Sequence, residues 1–547
     1  MVNSSRTRRG LSVLVCAAVA LICSACTSGS GDKGASGSDV ASSGGGKVQV
    51  GGTLHWAVDA VPADRDVFGA AATDATALAA EASLPTLFRL DDRARPVLDQ
   101  DYLVKAEQTS ASPQTIIYTL NPKAVWSDGS PLSAADFAAQ WKRLAAAHSA
   151  DGYDRIASVG QGADAHQVKV VFSQPFGPWR GLFTPLYPAA GKNLDAGPFT
   201  YKAQDAKALT LVRNPRWWGS QVHLDALALT AVAPAERIAA LRAGAVDYAD
   251  LSAAVTDSGQ APPAVAGTTL HRAAAPAYVQ LTFNGATGPL ADPQVRHAVA
   301  DAVDRQALAD AVLKPLSLPA TPLGNRLLMA GQPGYRDDSA ELQGGAANAA
   351  KLLDAAGWKT PANSDAAHPA TRTKAAKPLA LTLLTRQGSA TDARLASLLT
   401  AQLAASGIQL TTRPVAAADF VNPNLAQGRF DLALFAWPAS RFPVADQRAL
   451  YEKPQVAVDG SVEAGQNYSG TGTDEIDSLL DRAVSALDEK QAASLANQAD
   501  RRLWQVVPNL PLFQSPELVA TSDTLVNAGA FGFATPDFTR LGFTKKS

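Results

Sequence analysis

The chain has 547 residues, 46% of them hydrophobic, with 48 lysines and arginines against 50 acids and a formal net charge of -2. That length holds two or three domains, and a well-mixed, slightly acidic balance argues against nucleic acid as a partner. All three cysteines, Cys16, Cys23 and Cys26, fall within the first 26 residues, which excludes a disulfide framework or a Cys-rich zinc site from the chain that follows.

The chain opens with a basic start (Arg6, Arg8, Arg9), an apolar core from Leu11 to Ile22, and the small residues Ser24-Ala25 before Cys26. The apolar run is shorter than the roughly 20 residues a bilayer span needs, and the layout is that of a secretory signal. Ser24-Ala25-Cys26 resembles the lipobox of bacterial lipoproteins, with Cys23 where Leu is usual. The resemblance implies cleavage before Cys26 and its lipidation; a cut elsewhere would leave a soluble protein. Thr7-Arg8-Arg9-Gly10-Leu11 loosely resembles a twin-arginine signal, so both export routes stay open. Losing residues 1–26 removes three arginines and no acid, which moves the formal charge from -2 to -5. Residues 27–47 are rich in Gly and Ser and read as a flexible tether.

Gly51 to Val58 predicts a first strand, Ala70 to Ser83 an Ala-rich helix, Leu87 to Leu90 a strand ending in the Asp91-Asp92 turn, and Thr115 to Leu120 another strand. Asp128-Gly129 is turn chemistry. Ser133, followed three residues later by Asp136, forms an acidic variant of the capping box and opens a helix through Trp141 and Leu144. Gly160-Gln161-Gly162-Ala163-Asp164-Ala165 fits a loose dinucleotide pattern, but it leads into a strand at Val168 to Phe172 where such a site needs a helix. It reads as a hairpin. Glu236 to Arg242 predicts a helix, and Gly244 to Asp250 a strand behind it.

The second half alternates. Leu379 to Thr385 is a strand, Thr391 to Ser406 a helix with Leu395, Leu398, Leu399 and Leu403 on one face, and Gly407 its stop. Ile408 to Thr412 is a strand, Ala416 to Gln427 a helix, and Phe430 to Trp437 a strand apolar enough to be covered on both faces. Such β-α-β-α-β order predicts a parallel sheet. Ligands of open α/β sheets bind beyond the carboxyl ends of strands. The strand ending at Trp437, before Pro438-Ala439-Ser440-Arg441, and its counterpart ending at Tyr248 and Asp250, are therefore expected to form facing walls of a ligand cleft.

Several blocks carry a family resemblance. Trp126 to Phe137 is one; Ala196-Gly197-Pro198-Phe199-Thr200-Tyr201-Lys202 with Leu211 to Gly219 is another. Leu281-Thr282-Phe283-Asn284, Val295 to Val299 with Val303-Asp304-Arg305, Ala349 to Trp358, Tyr468-Ser469-Gly470 with Glu475 to Leu480, and Pro508 to Phe513 follow in order. Together they resemble the bacterial extracellular solute-binding proteins of family 5, the oligopeptide, dipeptide and nickel receptors of ABC importers. The resemblance implies a two-lobed periplasmic-binding-protein-like α/β fold of type II, in the large three-domain class. Lobe I would comprise residues 48–84, 191–283 and 506–547, with a small domain inserted at 85–190 and lobe II at 284–505. It also implies hinge crossings at Thr282, Phe283 and Asn284 and near Gln505 to Pro511.

In peptide-binding members, an Asp three residues after the strand-end Trp neutralises the ligand's α-amino group. Here that position is Ser440, followed by Arg441. A serine cannot neutralise an ammonium, which argues against general recognition of free amino termini. Arg441, if it points inward, favours a carboxylate, phosphate or sulfate; otherwise it is a solvated loop residue. Trp437 either walls the ligand or only packs. The seven histidines include no His-Glu-x-x-His, and no phosphate loop or Gly-x-Ser-x-Gly elbow occurs in the folded region. No catalytic residue, metal site or cofactor is expected. The reading is a monomeric receptor, lipid-anchored on the outer face of the cell membrane. It binds a small molecule or oligopeptide and serves ABC permease subunits. A receptor of the same fold used for signalling or adhesion, and a secreted hydrolase, are the alternatives.

Overall fold

The computed structural model describes residues 38–42, 47–147, 152–189, 193–362, 364, 370–438, 442–456, 462, 463 and 465–545. β1 (Asp39–Val40) pairs with a short strand near the C-terminus, so part of the segment expected to be free tether is packed on the body. β2 (Thr53–Val58) leads to α1 (Asp74–Ser83), which starts later than Ala70 because Thr73 and Thr76 form a reciprocal cap. Next come β3 (Leu103–Ala111), β4 (Gln114–Leu120), α2 (Ala134–Ala147), β5 (Ile156–Gln161) and β6 (Gln167–Phe172). These make an antiparallel sheet in the order β3-β4-β6-β5, within the stretch 85–190 expected as an inserted domain. The acidic capping box is present: the Asp136 carboxylate accepts the Ser133 N–H at 2.9 Å. The dinucleotide-like stretch is the β5–β6 hairpin, closed by Gly162 N–H to the Gln167 carbonyl at 2.7 Å.

The chain continues through β7 (Phe199–Gln204), β8 (Ala208–Arg213), β9 (Ala226–Ala231), α3 (Arg237–Arg242), β10 (Tyr248–Asp250), α4 (Ser252–Ser258) and the long β11 (Thr268–Phe283). Then follow α5 (Pro293–Ala302), α6 (Arg305–Leu313), α7 (Ala346–Ala355), β12 (Ala380–Arg386), α8 (Ala390–Ala404), β13 (Gln409–Val415) and β14 (Leu432–Pro438). α9 (Pro443–Tyr451), α10 (Asp474–Ser485), α11 (Glu489–Val506), β15 (Asn509–Ser522) and β16 (Gly529–Ala530) complete it. The regular helix expected from Ala416 to Gln427 is not formed. A single turn at Ala417–Asp419 runs into a wide turn at Phe420–Leu425, where Pro423 interrupts and Asn422 leaves helical geometry at φ -113 and ψ 125.

One ten-stranded sheet, ordered β13-β12-β14-β11-β15-β10-β2-β9-β8-β7, spans both lobes. β12 is parallel to β13 and β14, as the alternation requires, and β2 is parallel to β9 and β10. β11 is antiparallel to both β14 and β15, so the sheet is mixed rather than parallel throughout. The expectation that the strand into Trp437 is covered on both faces holds for Leu432, Ala433 and Leu434 only; Ala436 and Pro438 are exposed.

β11 and β15 are shared between the lobes, which corrects the boundaries drawn at 283 and 506. Leu281, Phe283, Leu510 and Phe513 sit in the lobe II core with Leu395, Leu399 and Leu434. Ala273 and Val519 sit in the lobe I core with Leu54, Trp56 and Leu229. Between these halves the ladder is irregular: Ala274 faces Pro516 and Tyr278 faces Gln514, leaving residues 275–277 opposite Ser515 alone. Thr282, Phe283 and Asn284, expected at the hinge, lie inside lobe II instead. Thr282 and Phe283 pair with Ala433 and Leu432, and Asn284 Nδ2 donates to the carbonyls of Gly428 and Phe430 at 3.0 and 2.9 Å.

The inserted domain packs against both lobes. On lobe I, Trp217 and Trp218 each meet Tyr102 edge-on at 5.7 Å, and Trp218 Nε1 donates to the Asp101 carbonyl at 2.6 Å. On lobe II, its core takes in Ala445 of α9 and Val484 of α10. Gly177 N–H donates to the Val484 carbonyl at 2.8 Å, and Arg155 Nη1 to Ser485 Oγ at 2.9 Å.

Lobe II also buries an ion pair. Arg326 and Asp500 side chains are both fully buried, with Nη1 and Oδ1 3.8 Å apart. Arg326 Nε donates to Asn509 Oδ1 at 2.7 Å and its guanidinium lies 3.9 Å from the Trp504 ring centroid. Asp500 accepts from Arg326 N–H at 2.9 Å and from Trp504 Nε1 at 3.0 Å. Burial raises Asp500 to about 7 and lowers Arg326.

Candidate functional site

The carboxyl ends of β10, β12 and β14 open into one cavity of about 560 Å³ between the lobes. Lobe I supplies Asp250, Ser252, Ala253, Val255 and Thr256 of α4, and Glu517 of β15; lobe II supplies Arg386, Arg394, Phe435 and Pro438; residues 275–277 and Ser515 form the floor. The volume is that of a small-molecule or short-peptide pocket.

The residues that hold the lobe I wall follow from the strand geometry. Tyr248 and Asp250 alternate with the buried Ala249 along β10. Tyr248 is buried, stacked on Trp56 at 3.7 Å, and its hydroxyl donates to the Gly529 carbonyl at 2.9 Å. It supports the wall without lining it. Asp250, at the strand end, does line the cavity, with Oδ1 accepting from Ser252 N–H at 2.7 Å. Glu517 accepts from Phe531 N–H and Gly532 N–H at 3.1 and 2.7 Å. Burial, joined by the charge of Asp250, pushes the Glu517 carboxyl up to about 7 against the pull of those two N–H groups.

The lobe II wall is basic, but its charge is largely satisfied. Arg386 holds Asp392 through two bonds at 3.1 and 2.9 Å, and Arg394 donates to the carbonyls of Ala311 and Gly259, both at 3.1 Å. Trp437 does not line this cavity. It lines a narrower cleft of about 20 Å³, room for one water, with Gln280, Thr282, Tyr451, Tyr468 and Asn509. There it meets Phe435 and Tyr468 edge-on at 6.0 and 6.3 Å. Ser440, Arg441 and Cys26 lie outside the described residues.

Glu517, α4 and the arginines of β12 and α8 escaped the sequence reading. The available signal for Glu517 was the one charged residue in the strand Asn509–Ser522. Among the described residues, no group of three or more His, Cys, Asp or Glu side chains is placed to hold a metal ion, and no helix is long and apolar enough to cross a membrane.

The family profile described as "Bacterial extracellular solute-binding proteins, family 5 Middle" matches residues 100–455. The oligopeptide-binding protein OppA of Mycobacterium tuberculosis is 32% identical over 526 residues, covering 91% of this chain and 86% of that protein. Among solved structures, the periplasmic EDTA-binding protein EppA superposes with a TM-score of 0.79 at 23% identity, covering 93% of this chain and 99% of that one. The oligopeptide-binding protein AppA of Bacillus subtilis, in complex with a nonapeptide, gives 0.68 at 19% identity, covering 91% of this chain and all of that one. At these identities the structural likenesses establish the fold.

Proposed function

From the premise that the chain belongs to the bacterial extracellular solute-binding proteins of family 5, we propose that it captures a peptide-like organic solute between its lobes and delivers it to the permease of an ABC importer. The observation that carries this reading is the cavity of about 560 Å³ placed at strand ends from both lobes and floored by the two strands that join them. Closure of the lobes would bend those strands at residues 275–277 and Ser515, a hinge motion of paired elements. The protein would act as a monomer and do no chemistry on the solute, with ATP hydrolysed by other subunits.

Native mass spectrometry of the mature protein, purified without refolding, tests the reading. The expected result is a stoichiometric adduct that leaves on activation and whose fragments identify the solute. A protein that carries no adduct and shows no thermal shift with peptide, sugar and chelate panels would overturn it. We also propose that Cys26 carries the lipid. Cys26→Ser is expected to move the protein from the membrane to the aqueous fraction in a detergent phase partition; unchanged membrane retention would rule out the anchor.

A further inference from the structure

Part of the Gly/Ser-rich stretch that follows Cys26 is fastened to lobe I by backbone and side chain together. β1 runs antiparallel to β16, with Asp39 facing Ala530 and Val40 facing Gly529. Ala41 N–H donates to the Ala528 carbonyl at 2.9 Å, and Asn527 N–H donates to the Ala41 carbonyl at 2.7 Å. The Asp39 carboxylate reaches beyond this pair. Its Oδ2 accepts the Arg272 N–H of β11 at 2.9 Å. Its Oδ1 lies 3.4 Å from Nδ1 of the buried His271, whose Nε2 is 3.0 Å from Thr521 Oγ1 of β15. β14 pairs with β11 only from Ala277 onward, so among the described residues no ladder strand flanks Arg272 on its outer edge. Asp39 supplies the acceptor that such an edge N–H otherwise takes from water or another chain. Gly529 is fitted to the docked strand: a Cβ there would lie 2.2 Å from the Asp39 carbonyl oxygen.

The segment that receives β1 runs directly into the cavity wall. Asn527 to Ala530 meet the docked strand. The next two residues, Phe531 and Gly532, donate their N–H groups to Glu517, and Gly532 and Glu517 both line the cavity. The Gly529 carbonyl also accepts the Tyr248 hydroxyl, and the Tyr248 ring stacks with Trp56 and Phe531 at 3.7 and 6.5 Å. We infer that residues 39–41 are a strap that braces the 527–532 segment, and with it the Glu517 side of the cavity, in the shape that receives the solute. Backbone released at 527–530 would open as a local unit with Phe531 and Gly532, and a wall that must be ordered on binding costs affinity. The effect on affinity rests on the solute-binding reading of the cavity; the bracing of the wall does not.

Two tether variants test the strap without touching the cavity lining. Asp39→Ala removes both carboxylate contacts, and Ala41→Pro removes the N–H given to Ala528. Amide hydrogen exchange of the mature protein, resolved to single residues by fragmentation in the mass spectrometer, is the first readout. In both variants Asn527, Phe531 and Gly532 are expected to exchange at least tenfold faster, with β4 and β6 of the inserted domain at the parent rate. Retention from an equimolar tripeptide pool, read by native mass spectrometry, is expected to fall at least threefold. Faster exchange at Asn527 with Phe531 and Gly532 within twofold of the parent would overturn the inference, leaving a strand that is docked but braces nothing. Parent rates at Asn527 in both variants would overturn it as well, since the strand pair would not be holding that segment. Faster exchange at all three amides with undiminished retention would overturn the consequence for the solute. A parent that retains no tripeptide fails the peptide-like reading alone, because the exchange rates still decide for or against the strap.

Discussion

Asp500→Ala is expected to lower the free energy of unfolding by about 3–5 kcal/mol, the range for removing one partner of a buried ion pair. Arg326 would keep its charge at a site with no solvent exposure. Its N–H, and Trp504 Nε1, would each lose an acceptor now at 2.9 and 3.0 Å. Urea titration at pH 7.5 checks the magnitude; a loss under about 1 kcal/mol would mean that Arg326 is held by Asn509 and Trp504 alone. The pair also has a pH signature. The Asp500 carboxyl sits higher in the folded protein, at about 7, than its ordinary value of 3.8. The stability that comes from folding with this carboxyl protonated is therefore complete below about 3.8 and is lost as pH rises through about 7. The cost of Asp500→Ala at pH 7.5 is instead that of leaving Arg326 unpaired. Asp500→Asn should flatten the stability profile across that window, and an unchanged slope would show that other carboxyls set it.

The second large effect is expected at Gly177. A Cβ there would lie 2.2 Å from the Ala486 carbonyl oxygen and 3.3 Å from that of Val484. Both obstacles are backbone, so a rotamer change cannot relieve them. Gly177→Ala is expected to lift the inserted domain from the end of α10, breaking the 2.8 Å bond to Val484 and exposing Ala445. For the proposed receptor this would disfavour closure, so affinity for the recovered solute should fall at least tenfold, about 1.4 kcal/mol, and the radius of gyration should rise. If both stay at their parent values, the contact is a passive one.

Patterns of two and 3.6 residues, with their breakers, made much of the fold legible. Leu395, Leu399 and Leu403 on one helical face, with Gly407 as the stop, placed α8 and the strands beside it. Strand-end reasoning brought Asp250 to the cavity wall. Pro423 lies within the predicted helix and breaks it despite the apolar pattern around it. Other features depend on contacts that local pattern does not encode. Alternation along β14 does not say which of two hollows Trp437 borders. Gly177 owes its identity to the Ala486 carbonyl just past α10, and Glu517 owes its elevated carboxyl first to burial and then to Asp250, partners far away in the chain. β11 and β15 read as ordinary strands, and only their pairing shows that each serves two cores.

That shared pair of strands bears on the mechanics of the cleft. The carboxyl end of β12 lies on one side of residues 275–277 and that of β10 on the other, while β14 ends at the segment itself, with Pro438 facing Ala277. Flexing the ladder where three residues oppose one would swing the two walls as rigid jaws on a leaf spring, without stripping a β11–β15 pair from either half. A single angle would then set the aperture, and a solute would be gauged by how far it lets that one angle relax.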